Sequence, residues 1–340
     1  LALKHYFSNR HCTVLLLDDG TSDQQDMQLR SIAHGVIVLE VVPREFGKTR
    51  RRIRVAKMRG SLYREGYHDY TIKTGGLVVY PRLVAGEHRG PSEEGTVQSG
   101  LPALDALWGG GIDRGTSSLF IGPAGSGKST LATSYAVAAA KRGEFASIFL
   151  FEEWTRIVCK RAANLNIDPS PHIESGRIHM EQIDPAELSP GEFVQHVRDS
   201  VEKNGAKVVV IDSLNGFIHA MPGEQHLAMQ MHELLSYLNQ CGVATILVLA
   251  QAGLISANMT SPVDLSYLAD NVLLLRYFEN DGGIHKAISV IKKRSGEHEE
   301  SIRELSFRNG QILVSQPLKI LRGILSGAPT YATEPSTSQG

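Results

Sequence analysis

The sequence of 340 residues predicts an α/β fold. We expect a mostly parallel sheet that is flanked by helices, ends in antiparallel hairpins and is preceded by a partial second copy of the same arrangement. Three observations support this expectation. Apolar runs typical of buried strands alternate with helical patterns, a glycine-rich loop joins one such strand to a helix, and the two ends of the chain resemble each other.

The glycine-rich loop is a complete G-x-x-x-x-G-K-[ST] motif. It consists of Gly122, Pro123, Ala124, Gly125, Ser126, Gly127, Lys128 and Ser129, and it is followed by Thr130. The motif predicts a site for a nucleoside triphosphate such as ATP with Mg²⁺. Backbone N–H groups cradle the phosphates, Lys128 reaches the β- and γ-oxygens, and the Ser129 hydroxyl binds the metal. A flexible turn is the alternative, but the flanking strand and helix patterns disfavour it.

The chain contains an internal similarity. Residues 55–61 align with residues 290–296 at an offset of 235, and residues 72–75 and 77–79 align with later residues at the same offset. Residues 36–39 match residues 272–275 at nearly that offset. The drift of the offset is what differences in loop length produce.

This similarity predicts the domain organisation. Residues 1–84 correspond to the C-terminal part of one domain, without a phosphate loop, and residues 96–325 form a complete second copy. Residues 85–95 are a polar linker and residues 326–340 a disordered tail. Because the first copy starts partway through its domain and the chain lacks an initiator Met, we expect a fragment of a longer protein. A natural half-domain fusion is the alternative, but it would expose a strand edge.

Within the second copy, the pattern predicts each element in turn. Strands are expected at 118–121, 147–151, 208–211 and 245–249, and helices at 130–140, 155–165 and 224–240. From residue 272 onward, strands are joined by turns such as residues 279–283, which indicates antiparallel hairpins.

Composition excludes several classes of protein. The net charge is −1, so the chain as a whole does not demand a polyanionic partner, although residues 48–59 are strongly basic. The three cysteines have no C-x-x-C spacing, which is typical of a reducing cytoplasm. No apolar run predicts a membrane span or a signal peptide.

Acidic residues follow two of the predicted strands. Asp212 closes a buried strand, as the Mg²⁺-binding Walker B carboxylate does, although a turn cap is the alternative. Glu152 and Glu153 follow another strand and are candidates for the catalytic base that orients water. Their alternative is a helix first turn, where they would complement the dipole. Gln251, after a third strand, is either a γ-phosphate sensor or an ordinary amide.

Lys292 and Arg294 alternate along a predicted strand, so their side chains should share one side. Such a pair can neutralise a triphosphate, and a neighbouring subunit could supply it. Simple solvation at the surface is the alternative. The repeat preserves the pair as Lys57 and Arg59, which favours the functional interpretation.

Taken together, the chain resembles KaiC-type ATPases of the RecA superfamily over nearly its whole length. The resemblance rests on residues 99–105 (SGLPALD), residues 109–115, the phosphate loop, residues 151–153 and 210–213, and the Lys-x-Arg segments. It implies a RecA-like P-loop NTPase core with ATP and Mg²⁺, and hexameric homo-oligomer rings with ATP between subunits. It also implies that Glu152 and Glu153 are the catalytic pair, that Ser129 and Asp212 hold the metal, and that Lys292, Arg294 and His298 contact the ATP of a neighbour.

Clock members of this family autophosphorylate on an adjacent Ser-Thr pair. Here the matching residues are Ser266 and Tyr267, so Ser266 is a possible phosphoacceptor and a two-site cycle is not expected. The resemblance implies a signalling ATPase with an unidentified protein partner and serine/threonine autokinase activity as an option. The alternatives are a RecA/RadA-like DNA-dependent ATPase, which the near-neutral charge disfavours, and an ATP-gated assembly module with negligible turnover.

Overall fold

The computed structural model of the chain describes residues 6–7, 10, 12–19, 30–44, 47–88, 94–219, 227–251, 268–319, 321–323 and 330–331. The chain divides into two compact units, Leu1–Arg82 and Leu83–Gly340. Each unit is built around its own sheet, and the phosphate loop belongs to the second.

The first unit contains a four-stranded antiparallel sheet whose strands follow one another in chain order. The strands are β1 (Gly35–Val42), β2 (Arg50–Met58), β3 (His68–Lys73) and β4 (Gly76–Tyr80). Residues 52–55 of β2 alternate arginine with isoleucine and valine, whereas β1 is an almost continuous run of β-branched and other apolar residues, and both compositions suit strands.

The second unit contains a nine-stranded sheet between helices. In chain order its elements are β5 (Thr96–Val97), α1 (Pro102–Leu107), β6 (Ile112–Asp113), β7 (Ser117–Gly122), α2 (Lys128–Lys141), β8 (Phe145–Leu150), α3 (Thr155–Ala163), α4 (Ser170–Glu174), β9 (Ile178–Gln182), α5 (Pro190–Glu202), β10 (Ala206–Asp212), α6 (Leu214–His219), α7 (Leu227–Gln240), β11 (Ala244–Ala250), β12 (Asn271–Asn280), β13 (Gly283–Lys293), β14 (Arg303–Arg308), β15 (Gln311–Pro317), β16 (Leu321–Arg322) and β17 (Thr330–Tyr331).

The order of strands in this sheet is β15-β14-β13-β12-β7-β11-β10-β8-β9. From β9 to β12 every neighbouring pair is parallel, and from β12 to β15 every pair is antiparallel. The predicted α/β class, with a mostly parallel sheet that ends in antiparallel hairpins, is therefore confirmed. The turn between β12 and β13 falls within residues 279–283, as expected.

Helices cover both faces of the parallel strands. In β10, Val208 and Val210 join a core cluster with α2, whereas Val209 and Ile211 join a second cluster with α5 and α7. Successive residues of a strand point to opposite faces, so a strand buried on both faces becomes a continuous apolar run. This explains why 208–211 was recognisable from sequence alone.

The aligned ends of the chain form similar meanders in the two units. Between β1 and β2 the register shifts at Val36, which pairs with Lys57. Between β12 and β13 it shifts at Val272, which pairs with Lys292. In each hairpin, the extra residue of the bulge lies on the second strand, β2 or β13, and the two extra residues occupy aligned positions in the sequence. The sequence similarity is therefore accompanied by a shared irregularity of backbone pairing.

Candidate nucleotide-binding site

The phosphate loop connects the end of β7 to the start of α2, at the carboxyl edge of the parallel strands. At two positions of the loop, only glycine fits without a steric clash. A Cβ on Gly122 would lie 2.4 Å from the carbonyl oxygen of Leu275, and a Cβ on Gly127 would lie 2.5 Å from the Phe307 ring. Gly127 also has φ of 111°, which L-residues rarely adopt. The antiparallel strands thus pack directly against the loop.

Lys128 points back into the loop. Its Nζ donates to the carbonyl oxygens of Gly122 (2.9 Å) and Pro123 (2.7 Å). Burial lowers the pKa of Lys128 to about 8, although the charges of Asp212 and Glu152 oppose the shift. The hydroxyl of Ser126 is buried without a hydrogen-bond partner among the described residues. A folded-in ammonium and an orphaned hydroxyl fit a loop that binds phosphate oxygens.

Asp212 lies at the end of β10, beside the loop. Burial raises the pKa of its carboxyl group to about 6, a hydrogen bond from the Ser129 hydroxyl lowers it, and the charge of Glu153 raises it. The structure therefore brings Ser129 and Asp212 together. Within the described residues, no cluster of three or more His, Cys, Asp or Glu could hold a metal alone. Mg²⁺ typically takes one or two protein ligands together with phosphate oxygens and water, which this pair fits.

Glu152 and Glu153 follow β8 but differ in their surroundings. Glu153 forms a two-point ion pair with Arg161 of α3, in which the Nη2–Oε2 distance is 2.8 Å. Glu152 is exposed. Both carboxylates precede Trp154, the N-cap of α3, and the first turn of that helix contains no acidic residue. Their interpretation as first-turn residues of a helix is therefore wrong.

Gln251 follows β11 next to the loop. Its backbone N–H donates to the carbonyl oxygen of Gly122 at 3.0 Å. Its side-chain Oε1 is buried, and none of the described residues supplies a hydrogen bond to it. The strand-end position that suggested a phosphate sensor is thus reproduced by the fold.

Several residues near the loop could not be identified from sequence. The Tyr277 hydroxyl donates to the carbonyl oxygen of Ala124 (3.0 Å), and Lys286 Nζ lies 5.2 Å from the centre of the Phe307 ring. These contacts depend on the pairing of β12, β13 and β14, because Tyr277 pairs with Lys286 across the first hairpin. Arg161, which holds Glu153, was likewise missed. In the sequence, the only signal for Arg161 as a partner of Glu153 is its position on the helix that follows the acidic pair.

A cavity of about 800 Å³ lies along α3. It is lined by Arg156, Ile157, Lys160, Arg161, Asn164 and Leu165. Because Arg161 also contacts Glu153, the cavity is adjacent to the acidic pair. All six residues lie on one face of α3 and the two residues that follow it, so the cavity is open to solvent.

Lys292 and Arg294, at the end of β13, lie far from the loop in the same chain. Asn271 of β12 pairs with Lys293 on one side and with Ser118 of β7 on the other. The loop begins at the opposite end of β7, about 13 Å further along the strand at 3.3 Å per residue. The structure therefore does not bring these residues together with their own phosphate loop.

The Lys-x-Arg pair is instead bonded within its own chain. Lys292 Nζ donates to the carbonyl oxygen of Ala269 (2.6 Å), and Arg294 Nη1 lies 3.3 Å from Asp270 Oδ1. The strand ends at Lys293, and the N–H of Arg294 donates to the carbonyl oxygen of Asp270, the residue that precedes β12. Both side chains nevertheless point toward residues 269–270. Ser266 lies outside the described residues.

The basic residues of 48–59 are distributed along β2. Arg54 lies 3.7 Å from the Glu40 carboxylate and over the ring of Tyr67, and Arg50 is only 3% exposed. Arg52 pairs across the sheet with Asp69. Acidic and aromatic side chains therefore lie between these basic residues, whereas a surface that binds nucleic acid typically presents an uninterrupted basic patch.

A phosphate loop after a buried parallel strand, with a carboxylate at the end of a nearby strand, defines the class of P-loop ATPase domains. A family model described as "ATPase: KaiC" matches residues 1–84 and 97–319. The chain belongs to the KaiC ATPase family. Within the described residues, no helix is both long and apolar enough to cross a membrane.

Curated relatives are consistent with this assignment. The circadian clock protein KaiC3 of Synechocystis sp. is 26% identical over 300 residues, which are 88% of this chain and 59% of that protein. The circadian clock oscillator proteins KaiC of Picosynechococcus sp. and Rippkaea orientalis are each 24% identical over 88% and 89% of this chain, respectively. The chain spans 57–59% of the length of these relatives.

Proposed function

We propose that this chain binds ATP with Mg²⁺ and hydrolyses it at the interfaces of a homo-oligomeric ring, hexameric by family. The observation that carries the proposal is the separation of the site into two halves. The phosphate loop lies at one end of β7, whereas Lys292 and Arg294 lie at the other end of the same sheet. A cationic pair that cannot reach its own nucleotide can serve the nucleotide of a neighbour.

In the first half of the site, residues 122–130 hold the phosphates. Lys128 exchanges its two carbonyl partners for β- and γ-oxygens, and Ser126 gains a partner for its buried hydroxyl. Ser129 and Asp212 would hold Mg²⁺, which would supply positive charge to the phosphate oxygens.

The two acidic residues have different roles. Exposed Glu152 accepts the proton of the water that attacks the γ-phosphorus, and its charge already acts on Lys128. Glu153, held by Arg161 at two points, orients the strand end that carries Glu152. Gln251 contacts the γ-phosphate. The second half of the site, formed by Lys292, Arg294 and His298 of the neighbour, neutralises charge on the γ-phosphate.

We further propose the domain organisation that the similarity of the two meanders supports. Residues 1–84 are the C-terminal part of a first KaiC-like domain, and residues 96–325 form the complete ATPase domain. Residues 85–95 join the two, and residues 326–340 form the tail. The output of the ATPase is signalling in the cytoplasm through a protein partner, since the relatives are named as clock proteins. Ser266 is the proposed autophosphorylation site.

Steady-state ATP hydrolysis by Glu152→Gln, Glu153→Gln and the double variant tests the proposal, together with mass measurement in solution with and without ATP. We expect Glu152→Gln to lower kcat by about 10²-fold or more, and Glu153→Gln to have a smaller effect. Glu187→Gln, which removes an exposed carboxylate between β9 and α5, is the control. Unchanged turnover in the double variant would refute the catalytic assignment, and a monomer in saturating ATP would refute the ring.

Mass spectrometry after incubation with ATP tests the kinase activity separately. We expect one added phosphate on the peptide that contains Ser266, and none in the Ser266→Ala variant. If the wild-type peptide stays unmodified, the chain is an ATPase without autokinase activity.

A further inference from the structure

Three consecutive basic residues span the end of β13, with Arg294 just beyond it, and the middle one, Lys293, differs from its neighbours. Lys292 and Arg294 bond to residues 269–270, as described above. Lys293 points the other way, and its side chain is only 7% exposed. A lysine that is almost fully buried needs specific partners for its charge.

The partners of Lys293 are Trp108, at the end of α1, and Asp113, in β6. Its Nζ donates to the carbonyl oxygen of Trp108 at 2.6 Å and lies 3.3 Å from Asp113 Oδ2. The Ser295 hydroxyl donates to the same carboxylate oxygen of Asp113. The Asp113 carboxylate therefore binds both Lys293 and Ser295 at the end of β13.

Two further contacts hold the same segments together. The N–H of Glu299 donates to the carbonyl oxygen of Leu107 at 3.0 Å. A Cβ on Gly109 would lie 2.9 Å from the carbonyl oxygen of Glu297, so the two backbones approach closely. Residues 107–113 thus support residues 293–299 along their length, and this is the stretch that carries Arg294 and His298.

The first unit shows that the meander does not need a charge at this position. The residue aligned with Lys293 is Met58, between Lys57 and Arg59. Met58 ends β2 as Lys293 ends β13, and its sulfur would lie 3.0 Å from a Cβ on Gly35. An apolar side chain therefore occupies this position in the unit that has no counterpart of residues 107–113, and a charged one occupies it in the unit where that segment supplies an ion-pair partner.

We propose that the Lys293–Asp113 pair is a positioning clamp for the residues that act on the ATP of the neighbouring subunit. It fixes residues 292–298 against residues 107–113, so that the side chains of Lys292 and Arg294 stay in one defined direction, beside residues 269–270. Lys293 and Asp113 are positioning residues and touch no nucleotide themselves. The inference rests on the proposed contact of Lys292 and Arg294 with the nucleotide of a neighbour.

Lys293→Met tests the clamp, because methionine stands at the aligned position of the first unit. Lys203→Met is the matched control, since it removes an exposed lysine from an ion pair with Asp199 on α5. Amide hydrogen exchange of the nucleotide-free chain is the first measurement. We expect the amides of Arg294 and Glu299 to exchange about tenfold faster in Lys293→Met and to be unchanged in the control. Unchanged exchange in Lys293→Met overturns the proposal.

Co-expression of two inactive variants is the second measurement. Lys128→Ala retains the clamp but has no working phosphate site, whereas Lys293→Met retains the phosphate site. We expect Lys293→Met alone to hydrolyse ATP at least tenfold more slowly, with unchanged affinity for ATP. In random mixed rings about a quarter of the interfaces combine the two intact halves, so about a quarter of wild-type activity should return. No recovery overturns the proposal.

Arg294→Ala separates the clamp from the function on which it rests. If Arg294→Ala hydrolyses ATP like the wild type, the proposed contact with a neighbour is wrong. If Arg294→Ala is inactive but Lys293→Met is fully active, only the clamp is wrong. Should Lys293→Met fail to fold, Asp113→Asn replaces it in both measurements with the same expected results, because that side chain is 28% exposed and its change is less disruptive.

Discussion

Replacing Gly127 by alanine tests whether the antiparallel strands hold the phosphate loop in shape. The new Cβ would lie 2.5 Å from the Phe307 ring and 3.4 Å from a methyl group of Leu305, at φ of 111°. The positive φ costs about 1–2 kcal/mol for a residue with a Cβ. Displacing a packed ring costs about 1–3 kcal/mol more. We therefore expect a loss of about 2–5 kcal/mol in the free energy of unfolding.

Urea unfolding of four variants, Gly127→Ala, Gly176→Ala, Phe307→Leu and the double variant, separates these contributions. Gly176→Ala is the matched control, because Gly176 has φ of 69° and a Cβ at that position would have no atom within 4 Å. It should lose only the backbone contribution, about 1–2 kcal/mol. Gly127→Ala combined with Phe307→Leu should be less destabilised than the sum of the single variants, since the ring is gone. A loss below about 0.5 kcal/mol for Gly127→Ala would refute the reasoning.

Three further predictions concern charge, the loop and the core. Burial alone would raise the pKa of Glu181, but hydrogen bonds from His179 and His196 lower it to about 2, so its stabilising effect should be lost as the pH falls from about 4.3 toward 2. In the Glu181→Gln variant, the free energy of unfolding should therefore change less with pH in that window. Tyr277→Phe removes one hydrogen bond to the loop and should weaken ATP binding severalfold, measured by calorimetry. Phe120→Ala, at a fully buried ring, should cost about 3–5 kcal/mol in urea unfolding.

The phosphate loop and Asp212 were predictable because their signals are local. A loop of fixed spacing between a strand and a helix is visible in a few consecutive residues. Asp212 follows a continuous apolar run, and such a run indicates a strand buried on both faces. The parallel order of β8, β10, β11 and β7 then places these strand ends at one edge, as the alternation of strands and helices implied.

The partners of these residues were not predictable because they come from distant parts of the chain. Glu153 meets Arg161 only because α3 begins after Trp154, and the spacing of the acidic pair alone did not exclude a helical first turn. Phe307 reaches Gly127 through the pairing of β14 with β13, and a shift of one residue would turn it to the other face.

By itself, the amino-acid sequence determined the fold class, the phosphate loop, the acidic strand ends and the similarity between the two ends of the chain. Only the tertiary structure decided that Lys292 and Arg294 stand at the far end of the sheet from the loop, and that Lys293 is buried against Asp113. The physical reason is that a motif consists of residues that are neighbours in the sequence. The end of a sheet at which a side chain lies, and the charge that it meets there, depend on strand order and register across long separations in sequence.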